Sequence, residues 1–256
     1  MAGEAVSILM YHSIKIGRDP ITIPPATFRM QLDLLAGAGY RGVSVREYLA
    51  SRSSLDAGMK IAVLTFDDGY QDFADVVVPE IESRGWNCTV FLCSDLVGAS
   101  GGWDPDGGGA EMLIGWRQAQ DLVTRGIEIG GHGLTHADLT RIDAVQMQRE
   151  IAASKEALET RARCNVTSFA APYGHTTPAI RATIGRFYEC AVGTTMAKAS
   201  AASDRYDLPR VDMWYFRDPA RWRAYLNGSM MYFTIRKVLR DARIAMGMGA
   251  GPQQTP

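Results

Sequence analysis

Short apolar runs rich in β-branched and aromatic residues alternate along this chain with stretches whose apolar positions recur every three to four residues. That alternation is what parallel strands joined by crossover helices produce. Eight strands are predicted, over 6–11, 42–45, 60–66, 87–93, 126–130, 166–171, 189–194 and 208–213. Helices are predicted over 26–38, 72–84, 116–125, 143–163 and 177–188, most of them ending near a glycine or an arginine, as helix C-termini tend to. An eightfold alternation over 256 residues predicts an α/β fold, a distorted (β/α) barrel of seven or eight parallel strands in a single domain, rather than an open sheet.

Two stretches break the pattern. The glycine-rich run 98–109, with Trp103, Asp104 and Asp106, has neither period and reads either as a surface excursion or as a substrate-contacting loop near the barrel mouth. After Pro219 a basic amphipathic helix is predicted over 220–246, with Trp222, Tyr225, Leu226, Met230, Phe233 and Leu239 interleaved among arginines. Packing across the barrel is the first reading of this helix, and peripheral contact with a membrane surface or a partner is the second. The organisation predicted is a barrel over 1–218, a helical extension over 219–246 and a disordered tail over 247–256.

Composition narrows the function classes. With 27 basic and 28 acidic residues spread along the chain, the formal net charge is -1, so there is no field to attract nucleic acid. Four cysteines, Cys88, Cys93, Cys164 and Cys190, form no CxxC pair and read as buried thiols in a reducing compartment. The first residues, MAGEAVSILMYHS, lack a basic n-region, and no apolar run approaches membrane-spanning length. A cytoplasmic location is expected, with no transmembrane segment; the sequence leaves the oligomeric state open.

The chemistry gathers at strand ends, where barrels assemble their active sites. The first strand runs into Tyr11 and His12, the third into Asp67, Asp68 and Gly69, the fifth into His132 and His136, and the sixth into Pro172, Tyr173, Gly174 and His175. All four histidines of the chain therefore lie at or just past strand ends. His132 and His136 are four apart, so one helical turn or tight loop can aim both imidazoles at one cation. An oxygen of Asp67 or Asp68 would complete a two-histidine, one-carboxylate set with coordination positions left open for water and substrate, as catalysis requires. The plainer alternative is an Asp-Asp-Gly turn beside chance histidines.

Together these residues resemble the polysaccharide deacetylase family, the NodB-homology domain of carbohydrate esterase family 4. Its first motif stands here as TFDDGY, Thr65 to Tyr70, and its second as His132, Gly133, Leu134, Thr135 and His136. The segment LMYHSI, Leu9 to Ile14, is similar to the first strand of the biofilm-polysaccharide deacetylase branch, in which the motif order is permuted and the acid histidine comes first. The resemblance spans about 6–213 and implies a distorted barrel. It implies Asp67 as general base, with Asp68, His132 and His136 holding a divalent metal, Zn²⁺ foremost and Co²⁺, Ni²⁺ or Fe²⁺ as alternatives.

Two departures matter. The third motif carries an arginine that orients the base, yet here Ala170 stands at that position, ahead of Pro172 and Tyr173; Arg210, near the end of the last strand, is the candidate substitute. No histidine follows His175, so the late acid of the family is missing and His12 is the candidate for it, with His175 as the second choice. The backbone N–H of Tyr173, with Pro172 beside it, is expected to meet the oxyanion and substrate. The activity implied is metal-dependent N-deacetylation of an N-acetylated amino sugar in a glycan, glycoside or carrier-linked form. The alternatives are hydrolysis of another non-peptide carbon–nitrogen bond in a small metabolite, and a carbohydrate-binding pseudoenzyme.

Overall fold

The computed structural model describes residues 5–17, 19, 21–51, 60–99 and 112–232. Strands β1 (Ser7–Tyr11), β2 (Tyr40–Val43), β3 (Lys60–Phe66), β4 (Thr89–Leu92), β5 (Glu128–Gly131), β6 (Ser168–Ala170), β7 (Cys190–Met196) and β8 (Leu208–Asp212) form one parallel sheet. β1 pairs with both β8 and β3, so seven strands close into a barrel and β2 is left as an extra strand. The reason lies in the register. β2 pairs with Lys60 to Val63, the first half of β3, while β4 pairs with Thr65 and Phe66 in the second half. β2 thus wedges the wall at its N-terminal end, and the Asn87 N–H reaches the Gly42 carbonyl at 3.1 Å.

Helices α1 (Pro25–Gly37), α2 (Val45–Ser51), α3 (Val78–Ser83), α4 (Trp116–Thr124), α5 (Ala144–Ala162) and α6 (Pro178–Ile184) cross between the strands, and α7 (Pro219–Leu226) follows β8. Several departures from the sequence pattern have local causes. Val45 leaves the expected strand to start α2, because Ser44 and Glu47 cap that helix reciprocally, at 2.8 and 3.2 Å. The stretch before α3, Phe73–Val77, is π-helical; Pro79 has no N–H to give, and Val78 N–H bonds back five residues to Phe73. The helix expected over 220–246 is interrupted after Leu226, where Asn227 and Gly228 N–H groups close on Arg223 and Tyr225 carbonyls and Gly228 takes φ +91°; Met231 and Tyr232 are helical again. Residues 233–246, the tail 247–256 and most of the glycine-rich run, 100–109, lie outside the described residues.

Alternation along the strands divides the core in two. Ile8, Val63, Phe91, Ala170, Val192 and Leu208 belong to a compact cluster drawn from nearly every strand, the barrel interior. Leu9, Tyr11, Leu64, Phe66, Val90 and Phe169 face the other way and pack with helix residues such as Phe28, Ile81 and Leu158. α7 joins this outer layer beside α1: the Trp222 Nε1–H donates to the Gln31 carbonyl at 3.0 Å, and Tyr225 Oη lies 2.7 Å from Ser7 Oγ. Cys88, Cys93 and Cys190 are free and buried, whereas Cys164 is half-buried, contrary to expectation. Among the described residues, no helix is long and apolar enough to cross a membrane.

Candidate active site

The interior-facing positions continue beyond the apolar cluster to the C-terminal mouth. On β3 they run Ile61, Val63, Thr65 and then Asp67; on β5, Glu128, Gly130 and then His132; on β8, Leu208, Arg210 and Asp212. Strand period alone therefore delivers Asp67, His132 and Arg210 into one cavity, with Met10, His12, Tyr173 and Thr194 also in its lining. Asp68 would point outward by the same rule. Its left-handed backbone, φ +74°, ends the alternation and turns the carboxylate to the mouth, a conformation that costs a non-glycine residue energy. Gly69 follows with φ +74°, and a Cβ there would sit 2.3 Å from Leu92 Cδ2.

Asp68 Oδ1 lies 3.3 Å from His132 Nε2 and 3.4 Å from His136 Nε2. Three ligand atoms, one from each residue, fall within 4.8 Å of one another, and all three residues are buried. Ligands about 2.0–2.1 Å from a tetrahedral ion are roughly 3.4 Å apart, so the spacing suits one small divalent cation. The donor set fits as well. His132 Nδ1 lies 2.7 Å from the Ala170 carbonyl, which fixes that nitrogen as the protonated one and turns the Nε2 lone pair inward. Neither buried Asp68 oxygen has a hydrogen-bond partner among the described residues. Burial would raise the Asp68 carboxyl, yet the neighbouring imidazoles pull it down to about 2. Burial drives His136 down to about 4, leaving it neutral and able to ligate near pH 7. His132 and His136 meet in a tight loop, not a helical turn, with Gly133 at φ +82° and His136 at φ +61°.

Asp67 has a different partner. Arg210 grips it with both terminal nitrogens, at 2.7 and 2.8 Å, and Arg210 is itself held by the Gly193 carbonyl at 2.8 Å and Thr65 Oγ1 at 3.2 Å. Burial pushes the Asp67 carboxyl up, but the Arg210 charge and hydrogen bonds outweigh it and hold the group below the usual carboxylate range. His12 Nε2 stands 3.8 Å from Asp67 Oδ2, at the rim of the cavity. Tyr173 takes φ +61° in the turn Pro172–Gly174, and its ring meets His136 edge-on at 4.7 Å. His175 does not join them: its Nδ1 pairs with Asp138 Oδ2 at 2.9 Å.

Some residues that shape the site carry no sequence signal of that role. Asp72 reads in the sequence as a helix start, yet its carboxylate accepts the Ser13 hydroxyl at 2.6 Å and the Ile14 N–H at 2.9 Å, pinning the segment after His12. Glu150 and Ser154, inside a predicted helix, reach the loop between His132 and His136.

Comparison with known proteins gives a family and a fold for the chain. A family model described as polysaccharide deacetylase matches residues 55–187. YxkH of Bacillus subtilis (strain 168), a polysaccharide deacetylase by name, is 26% identical over 206 residues, 80% of this chain and 70% of its own length. In structure, the Streptococcus pyogenes deacetylase PplD in complex with acetate is similar at a TM-score of 0.71 and 24% identity, covering 82% of this chain and 92% of that one. IcaB from Ammonifex degensii is similar at 0.70 and 21% identity, covering 87% and 98%. Matched by the family model over just over half of its length, the chain belongs to the polysaccharide deacetylase family, hydrolases that act on carbon–nitrogen amide bonds.

Proposed function

We propose that this protein is a metal-dependent N-deacetylase that hydrolyses the acetamide of an N-acetylated amino sugar, with Asp68, His132 and His136 holding the cation. The observation that carries this reading is the set of two imidazoles and a carboxylate at tetrahedral spacing, its buried Asp68 oxygens lacking hydrogen bonds among the described residues, next to a second carboxylate gripped by arginine. A divalent cation bound there, Zn²⁺ foremost, supplies polarisation of the acyl carbonyl and acidification of the attacking water.

The chain's own groups divide the remaining work. Asp67 takes the proton of the attacking water. Arg210 fixes the Asp67 carboxylate in one orientation through its planar fork, the part that an arginine at the position of Ala170 would otherwise play. The Tyr173 backbone N–H, in the turn after Pro172, donates to the developing oxyanion. His12 gives a proton to the departing amine, without which an amide nitrogen leaves poorly. The cavity holds about 40 Å³. That is roughly the room of three waters, which suits an acetyl group inside with the sugar ring at the rim. The acetate in the PplD structure points to the same acyl group.

The test is incubation with N-acetylglucosamine oligomers, glycosides and carrier-linked sugars, followed by mass spectrometry. Loss of acetyl groups that stops on chelation and returns with Zn²⁺ is expected. Absence of acyl loss across the panel, with metal bound, would overturn the assignment of substrate.

A further inference from the structure

We infer that Glu150 is a positioning residue that sets the cation affinity of the site by fixing the main chain between His132 and His136. The inference rests on the proposed metal site. The segment joining the two imidazoles has no helical or strand bonds of its own, and it includes Gly133 in a left-handed conformation. Its shape must come from outside.

One source is α5. Glu150, 8% exposed, accepts the Leu134 N–H at 2.7 Å and the Thr135 N–H at 3.1 Å on Oε2, and the Thr135 hydroxyl at 2.8 Å on Oε1. One turn further along the same helix face, the Ser154 hydroxyl donates to the Gly133 carbonyl at 2.8 Å. The other source is the stretch after β4, where Ser94 and Asp95 N–H groups donate to the Gly133 and Leu134 carbonyls at 3.1 and 3.0 Å. The loop's N–H groups thus go to α5 and its carbonyls largely to the β4 side.

Like Glu128 at the start of β5, Glu150 is a buried carboxylate held by neutral donors, but its donors belong to the loop between the two imidazoles. Among the described residues no ion pair neutralises it, so a buried carboxylate is held by two amides and one hydroxyl. Burying a charge without a counter-charge is costly compared with an apolar residue. What the carboxylate provides is geometry: one oxygen gathers two successive N–H groups and the other turns Thr135. The backbone torsions so fixed determine where His132 and His136 aim their Nε2 atoms. A hypothetical Cβ on Gly133 would lie 3.0 Å from Glu150 Oε2, so the loop rests directly on the carboxylate.

The experiment measures Zn²⁺ dissociation constants by competition with a chromophoric chelator, alongside melting temperatures of the chelated proteins. Glu150→Ala is expected to weaken Zn²⁺ binding by about tenfold to a hundredfold, the range for groups that orient metal ligands. Glu150→Gln is expected to bind close to wild type. Its amide oxygen still accepts both N–H groups, and its NH₂ donates to the Thr135 hydroxyl. A Glu150 that is structural alone would lower the melting temperature and leave the constant of the folded protein unchanged, which overturns the inference. So does a Glu150→Gln protein as weak as Glu150→Ala, because charge rather than hydrogen bonding would then be responsible. Where Glu150→Ala does not fold, Thr135→Val removes one bond of the set, and a wild-type constant in that variant overturns the inference. Wild-type protein that binds no Zn²⁺ instead removes the metal site beneath it.

Discussion

Glu128 and Asp68 are buried carboxylates at opposite ends of one barrel, 2% and 3% exposed, so solvent does not distinguish them. Glu128, at the start of β5, accepts the Arg46 N–H at 2.7 Å, the Thr89 hydroxyl at 2.8 Å and the Ser168 hydroxyl at 2.7 Å. Thr89 in turn accepts the Val45 N–H at 2.9 Å, so the N-terminal end of the barrel is a closed network of matched donors and acceptors. At the C-terminal mouth, neither oxygen of Asp68 receives a hydrogen bond among the described residues, and a left-handed backbone puts the group there. Glu128 is satisfied by hydrogen-bond donors, whereas Asp68 is kept ionised by the imidazoles beside it, as expected where one carboxylate serves structure and the other shares a site with two potential ligands.

Substitutions can break or sharpen that contrast. The largest effect belongs to Asp68→Asn: deacetylation falls by about a thousandfold or more, several kcal/mol of barrier, and Zn²⁺ no longer raises the melting temperature above that of the chelated protein. A variant that Zn²⁺ stabilises as much as the wild type would remove Asp68 from the ligand set. Next comes His12→Ala, for which turnover drops by about a hundredfold to a thousandfold with Zn²⁺ content unchanged; unaltered turnover would remove His12 as the proton donor. Glu128→Ala works the other way. It orphans two hydroxyls and an N–H, and denaturant unfolding should show a loss of about 3 kcal/mol, with the dissociation constant for Zn²⁺ unmoved in the folded protein. The smallest effect is chelation itself, which costs the wild type about 2.7 kcal/mol of apparent stability relative to free Zn²⁺ at a hundred times its dissociation constant, and costs Asp68→Asn nothing.

Much of this was legible before any coordinates. The strand and helix alternation predicted the barrel, and the residues just beyond the apolar runs predicted which side chains crowd its mouth, because a period of two fixes which residues face inward. Misreadings came from local chemistry set against the apolar pattern. The Ser44 and Glu47 capping box starts α2 where the apolar Val43 and Val45 predict a strand. Asn227 and Gly228 interrupt the helix that the amphipathic stripe around them predicts as continuous. Asp72 and Glu150 had no such signal: each reaches the site by contacts far along the chain, which periodicity does not encode.

By itself the sequence determined the fold class, the strand ends that carry the reactive groups and the family, because burial pattern and short motifs are properties of neighbouring residues. Only the tertiary structure decided that Arg210 grips Asp67 from 143 positions away, that a left-handed backbone carries Asp68 to the two imidazoles, and that His175 turns to Asp138. Those outcomes depend on how seven strands close and on a left-handed turn at one aspartate. Distances of that kind are set by the whole barrel at once, and no local stretch of chain contains them.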